Sequence, residues 1–444
     1  MCNGFSFTRV LKYTLFHSIL DRDINYKLKG KQTMATINPF KAIRPNKEKA
    51  SRIAALPYDV YNREEARLEV EREPFSFLRI DRAETQFPIG FDIYDEKVYQ
   101  KAHDILWEMV ENGDFVTENQ DCYYIYELTM NGRVQDGLVA CASIDDYQNE
   151  VIKKHEKTRE DKERDRIRHV DVCSAQTGPI YLVYRTNPVI REIIVAKKKE
   201  EPLYDFVSED GIRHRVFRIE RLEQIRDIQN EFQKIEEIYI ADGHHRAASA
   251  VKVGLKRREQ KPDFDGTEEF NFFLSVLFAD EQLMIMDYNR VVRDLNGYTP
   301  EQFLERVSGI FDVTIDTKTD HHPTKKGEFT MFLDEKWYRC KVKEANKSTH
   351  PVEGLDVSVL QNQLLTPILG IGDPRIDTRI DFVGGIRGLS ELERRVSEDA
   401  KVAFAMYPTS IQELFEVADA NMLMPPKSTW FEPKLRSGLF IHEL

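Results

Sequence analysis

Ile238-Tyr239-Ile240-Ala241-Asp242-Gly243-His244-His245-Arg246-Ala247-Ala248-Ser249-Ala250 is an apolar run, a glycine corner and an alanine-rich tail. The run predicts a buried strand, Gly243 a tight turn, and the tail a helix that includes Arg246 to Val253. A strand passing into a helix through such a turn indicates an α/β protein. The corner also suits an anion. The first amides of a helix lack partners within it and carry partial positive charge, so they attract phosphate oxygens. Gly243 lets a ligand approach the backbone with no Cβ in the way. Arg246 can grip two phosphate oxygens through its planar fork, and His244 and His245 add donors. Asp242 can hold a divalent cation or orient a histidine. Asp-Gly alone is commonly just a turn, and a lone histidine is commonly structural. Four polar residues in one six-residue corner favour a site.

Upstream of the corner, charges fill nearly every position from 152 to 171. A charged run is as readily a solvated helix face as a site. Its contents nevertheless suit phosphoryl transfer, because cations stabilise the charge spread over the transferring group. Glu156 beside His155 can serve as a general base toward a hydroxyl. Lys154, His155, Arg159 and Lys162 can face phosphate, and Asp165 with Arg166 reads as a supporting ion pair. Downstream, Met424 to Lys434 holds two aromatics and three prolines, which describes a rigid packed loop. Lys427, Ser428 and Thr429 are its phosphate donors, and a structural lid is the equal alternative. Gln176 to Pro179, Asp210 to His214 and Asp287 to Arg290 read as structural turns, with His214 the best suited to chemistry among them.

The remaining pattern alternates strands with helices. Asn62 caps a helix from about Arg63 to Arg72, Phe77 to Ile80 alternates like a strand, and Asp92 to Asn112 has helical periodicity. Asn131-Gly132 between two strand-like runs is a strong hairpin signal. Strands follow at Ile180–Tyr184 and Val216–Ile219, with a helix from Leu222 to Ile235. Phe273–Phe278 and Leu283–Met286 read as a further hairpin. A second unit begins near Thr299, with a helix from Pro300, strands at Phe329–Leu333, Trp337–Val342 and Val402–Met406, and a helix over Ser410–Asp419. The fold class is therefore mixed α/β (α+β). Residues 37–298 form a main domain holding the Asp-Gly-His-His-Arg corner, and 299–444 a second α/β region ending in the Lys-Ser-Thr-Trp loop. Residues 1–36 read as a disordered or non-native extension, with Met34 a candidate start.

The 444 residues are 41% hydrophobic and 32% charged, an ordinary globular balance that suggests two or three domains. A net charge of -12 argues against non-specific binding to DNA or anionic membrane. Five scattered cysteines with no CxxC pair exclude a zinc ribbon and suggest reduced thiols in the cytoplasm. No apolar run approaches the roughly 18 residues of a membrane helix. There is no GxxxxGK[ST], no HExxH and no serine nucleophile elbow, and Gly384-Gly385-Ile386-Arg387-Gly388 is not a dinucleotide fingerprint.

Asn38-Pro39-Phe40, Leu56-Pro57-Tyr58-Asp59-Val60, Lys153-Lys154-His155-Glu156-Lys157-Thr158, Gln176-Thr177-Gly178-Pro179, Ala241 to Arg246 and Met424 to Phe431 together resemble the bacterial family known as domain of unknown function 1015. The match runs from about Ile37 onward. The Asp-Gly-His-His-Arg segment is also similar to the signature of free-serine kinases in the ParB/sulfiredoxin-like superfamily. That resemblance implies a ParB/sulfiredoxin-like core in which Gly243 and Arg246 occupy a phosphate-handling Gly-x-x-Arg corner. Sulfiredoxins carry a cysteine where this chain has His244, and partitioning proteins read Gly-Glu-Arg-Arg there and append a DNA-binding domain. The resemblance implies phosphorylation of free L-serine to O-phospho-L-serine, with pyrophosphate, ADP or ATP as donor. Added to it, Mg²⁺ bridges the donor phosphates and Asp242 positions metal or histidine; the resemblance does not identify the base, and Glu156 is assigned to that role from its own surroundings in the sequence. Two alternatives stand beside it. His155, Glu156, Asp242, His214, His244 and His245 could hold a transition metal for phosphoester hydrolysis, or the chain could be a ParB-like nucleotide-gated partitioning protein.

Overall fold

Asn131 and Gly132 both adopt positive φ, 51° and 80°, which closes a two-residue turn whose twist suits a hairpin. The hairpin is the centre of the larger of the two main sheets. A computed structural model describes residues 34–444. The extension read at the N-terminus falls, through residue 33, outside the described residues, while Ala35 is already buried and its amide donates to the Ile235 carbonyl at 2.9 Å.

The first sheet comprises β1 (Ile37–Asn38), β2 (Tyr123–Met130), β3 (Arg133–Ser143), β4 (Ile152–Lys153), β5 (Ile180–Tyr184), β6 (Tyr204–Val207), β7 (Arg213–Ile219), β8 (Ile238–Asp242) and β9 (Phe272–Ala279). Its order is β4-β8-β5-β9-β3-β2-β7-β6, with β1 paired to β3. β8 runs parallel to β4, β9 runs parallel to β5, and the other pairings are antiparallel. Both faces are covered, so the strands read as nearly continuous apolar runs. Tyr123, Ile125, Leu138 and Leu277 pack on one face with Ile190 and Ile194 of α4 (Pro188–Lys197), Ile228 and Phe232 of α5 (Leu222–Phe232), and Ala247 and Val251 of α6 (His244–Gln260). Tyr124, Tyr126, Val139 and Phe278 face the other way.

That other face shares one apolar cluster with Phe329, Met331, Phe404 and Leu414 of the second sheet and its helix. The second sheet is antiparallel throughout, in the order β11-β13-β12-β15-β10-β14. Its strands are β10 (Tyr288–Val292), β11 (Phe311–Ile315), β12 (Glu328–Leu333), β13 (Lys336–Val342), β14 (Ile380–Gly384) and β15 (Val402–Ala405). A third cluster joins α1 (Arg63–Arg72) and α2 (Glu96–Glu111) to Cys173 at the end of α3 (Glu160–Cys173). The Asn62 cap is a full capping box with Glu65. The chain is therefore mixed α/β, as its alternating pattern predicts.

Two local readings change. Phe77–Ile80 is not a strand: Leu78–Asp81 is a short helix, and Phe77, Leu78 and Ile80 are all buried, so no period-two alternation exists. Leu283–Met286 does not pair with Phe273–Phe278, because β9 already has β3 and β5 on its two edges. Ile285–Met286 pairs instead with Trp430–Phe431. From there the chain returns to the first unit. Ile441 exchanges backbone bonds with Ile43, and His442–Glu443 pairs with Ala175–Gln176. Among the described residues the four cysteines are free and buried, and no helix is long and apolar enough to cross a membrane.

Candidate active site

β8 ends at Asp242 after a register shift between Ile240 and Asp242, and α6 starts at His244. Gly243 between them sits at φ 93°, a left-handed conformation that any Cβ would strain. A Cβ there would also lie 3.1 Å from Nε and Nη2 of Arg246, whose guanidinium folds back over the corner. Arg246 Nη1 donates to the Pro179 carbonyl at 2.5 Å, so the Gln176–Pro179 turn and the corner are tied together. No side chain caps the first turn of α6.

Ala241 and Asp242 open onto a cleft of about 980 Å³ between the two sheets. His155 and Glu156 line it on the same side. Asp59, Tyr288, Phe382 and Gly385 to Gly388 form other parts of its wall, and Lys427 to Lys434 cross it. Asp242, the His155-Glu156 pair and the Lys427–Thr429 loop, distant in sequence, thus meet at one cavity. Gly243, His244, His245 and Arg246 do not line it, and Arg246 faces a separate small cavity with Tyr58, Asp81 and Thr177.

Asp242 Oδ1 accepts from the Gly243 amide at 2.8 Å, and Oδ2 accepts from Lys434 Nζ at 3.1 Å. Burial opposes the carboxylate charge, but Lys434 and Arg246 outweigh it and hold the Asp242 carboxyl well below the usual range. Burial likewise opposes the Lys434 charge, and Asp242 reverses it, so its ammonium is raised. Lys434 carries no motif that marks it for this role. The contact joins residues 192 apart, and nothing local signals it.

Glu156 has the opposite character. Partial loss of water pushes its carboxyl up; Lys427 opposes that shift and Asp242 adds to it. Two carboxylates on one wall, one held ionised and one raised, are the environment from which acid–base roles separate. Lys427 stands at φ 61° with its ammonium 5.5 Å from the Tyr288 ring centre, and its charge is favoured by Tyr288 and Glu156 against the cost of burial. Thr429 lines the cleft. Ser428 also borders it, but its Oγ donates to the Pro425 carbonyl at 2.6 Å within the loop.

His155 borders the cleft, while His244 and His245 lie behind its wall. His244 and His155 are both buried, their rings edge to face with centres 4.5 Å apart. Burial pushes His155 down to about 4 and holds His244 well below the ordinary imidazole range, so both are neutral near pH 7. His244 Nε2 accepts from the His155 amide at 3.5 Å, and its Nδ1 lies 3.8 Å from Glu156 Oε2. His245 Nε2 accepts from the Arg159 amide at 3.0 Å.

Other charged candidates lie apart from the large cleft. Lys154 places its ammonium 4.2 Å from the Tyr147 ring centre and lines a groove behind Glu156 with Lys157, Thr158 and His244. The Arg159 guanidinium is exposed and bound to Asp161 at 2.8 and 3.2 Å. Lys162 lines a separate cavity with Tyr99 and Arg166. Asp165 and Arg166 form the expected ion pair at 2.8 Å, with the guanidinium stacked on Tyr58. His214 is buried and occupied, with Nδ1 2.8 Å from Tyr126 Oη and Nε2 2.9 Å from Ser208 Oγ. The six residues considered for a transition metal do not converge: among the described residues no three His, Cys, Asp or Glu side chains gather to hold an ion.

A family model described as "Protein of unknown function (DUF1015)" matches residues 37–358. No curated protein matches the chain. Among solved structures, a mutant free serine kinase in complex with ADP is similar at 13% identity, covering 68% of this chain and 93% of that chain with a TM-score of 0.33. SbnI with C-terminal truncation from Staphylococcus aureus is 10% identical, covering 67% and 85%, with a TM-score of 0.36. A conserved hypothetical protein from Pyrococcus furiosus is 14% identical, covering 69% and 95%, with a TM-score of 0.32.

Proposed function

The chain belongs to the family described as "Protein of unknown function (DUF1015)", and from the cleft of this member we propose a small-molecule kinase that phosphorylates free L-serine to O-phospho-L-serine. Pyrophosphate, ADP and ATP are the proposed donors. One observation carries the reading: Glu156, with a raised carboxyl, shares a wall with Asp242, which Lys434 keeps ionised, and Lys427 and Lys434 reach the same cavity. Glu156 takes the proton of the serine hydroxyl as its oxygen attacks the terminal phosphorus of the donor. The bond to the bridging oxygen breaks, and its electron pair leaves with the shortened donor. The two lysines offset the charge spread over the transferring oxygens. Arg246 holds the corner in shape and adds positive potential behind Asp242.

A ParB/sulfiredoxin-like core around the corner is part of this proposal. So is Mg²⁺, which on this reading enters with the donor phosphates. Asp242 already holds an amide and an ammonium on its oxygens, so it offers one shared contact and not a cage.

Incubating the purified protein with serine, Mg²⁺ and each donor, then detecting O-phosphoserine by mass spectrometry, tests the reading. Product is expected with at least one donor, and absence of product with all three sinks it. Glu156→Gln should lower kcat by about 10²- to 10⁴-fold, the usual worth of a general base. Arg246→Ala should abolish turnover.

A further inference from the structure

The two histidines of the corner make a specific pair of contacts with the segment that carries Glu156. His245 Nε2 accepts the amide of Arg159 at 3.0 Å, and His244 Nε2 accepts the amide of His155 at the longer distance of 3.5 Å. These amides stand at the two ends of residues 155–159. The segment between has little regular structure: β4 ends at Lys153, and α3 begins at Glu160 with no side-chain cap. Beyond it, α6 continues to hold the chain, with Ser249 Oγ donating to the Glu163 carbonyl at 3.2 Å and Lys252 paired with the Glu163 carboxylate.

An imidazole nitrogen that accepts a hydrogen bond carries no proton, so in the neutral ring the proton sits on the other nitrogen. Accepting at Nε2 therefore fixes both rings as Nδ1–H tautomers. For His244 that proton lies on the nitrogen 3.8 Å from Glu156 Oε2. We infer that His244 and His245 are positioning residues, which staple the two ends of the 155–159 segment to the start of α6 and thereby aim Glu156 into the cleft. This gives the adjacent histidines a reason to be adjacent: consecutive residues of a helical turn point in different directions and reach two ends of one loop. It assigns them to the loop and not to the phosphoryl group. The catalytic part of the inference rests on the kinase reading; the staple itself does not.

The staple is tested without substrate. In histidine-labelled protein, long-range ¹⁵N–¹H spectra should show His245 with the proton on Nδ1 and a bare Nε2; a proton on Nε2 overturns the proposal. Hydrogen exchange read by mass spectrometry gives a second measure. In His245→Leu, exchange of peptides spanning 155–159 should rise about tenfold, while His245→Gln, whose Oε1 can accept the same amide, should stay within about twofold of the parent. Equal exchange in the parent and His245→Leu overturns the staple. In the serine assay, kcat should fall with His245→Leu and recover in His245→Gln at constant donor KM, whereas a drop in donor affinity that Gln does not restore points to direct phosphate contact and overturns the inference. A stapled segment in a protein that makes no phosphoserine leaves the staple standing and sinks the kinase.

Discussion

Asp242 keeps its charge in a partly buried place because Lys434 sits 3.1 Å from one oxygen and the Gly243 amide 2.8 Å from the other. Removing the cation strands the carboxylate. Lys434→Met should destabilise the fold by roughly 1–3 kcal/mol in urea melts, below the cost of a fully buried pair because Asp242 keeps some contact with water. Asp242→Asn on that background should recover part of the loss, and a double mutant no more stable than Lys434→Met alone would show that the pair is not coupled. Glu156 offers a kinetic counterpart. As a base it acts when ionised, so the rate should rise with pH through its raised pKa. Lys427 opposes that rise in pKa. In Lys427→Met the acidic limb of the pH–rate profile should therefore move to higher pH, and an unmoved limb removes Glu156 from that role. Of these residues the sequence makes Asp242, Glu156 and Lys427 legible, because each sits in a short stretch dense in polar groups. Lys434 follows Pro433 at the far end of the loop that carries Lys427, and its partner is fixed only by the tertiary path.

Elements behave as their local chemistry dictates wherever a signal is contained within a few residues. The Asn-Gly turn, the Asn62-Glu65 capping box and the Thr299-Gln302 box all form as their types require. The failures are of two physical kinds. Four residues such as Phe77–Ile80 are too few to separate a period of two from one of 3.6 when nearly all are buried. The partner of Ile285–Met286 depends on which sheet edges are already taken. The strand-to-helix corner shows the local case most sharply. Gly243→Ala should cost about 1–2 kcal/mol for the left-handed backbone alone, and its Cβ, 3.1 Å from the Arg246 guanidinium, must also displace that side chain. Calorimetry should show a lower Tm, and phosphoserine formation should fall further than stability explains; an unchanged Tm would mean the corner relaxes freely.

Across the whole molecule, buried titratable groups act in opposite senses as pH changes. Burial raises Asp146 to about 7, although the Thr36 amide donates to it at 2.6 Å. Between the usual aspartate value and about 7 the folded state binds a proton that the unfolded state does not, so Asp146 makes the fold weaker as pH rises. Burial lowers His155 to about 4 and His214 to about 3, with Arg436 adding to the latter, so between those values and 6.5 the unfolded state binds the extra proton and the fold weakens as pH falls. Asp146→Asn removes one side of this balance and keeps an acceptor for Thr36. It should be more stable than the parent at pH 8 and lose that advantage by pH 5, with a slope up to about 1.4 kcal/mol per pH unit. Urea midpoints at the two pH values decide it, and a constant difference between the proteins would place the Asp146 titration in its ordinary range.

The return of the chain after Met424 also sets an order of events at the ribosome. Both sheets can be complete once residue 405 has emerged, yet Lys427 and Lys434 have not. At that stage neither Lys427 nor Lys434 is available to Asp242 and Glu156, and the edge at Ala175–Gln176 waits for His442–Glu443. On the kinase reading of the cleft, neither lysine is yet there to meet a phosphoryl group, and Phe431, Leu435, Leu439, Phe440 and Ile441 are still missing from the buried cores.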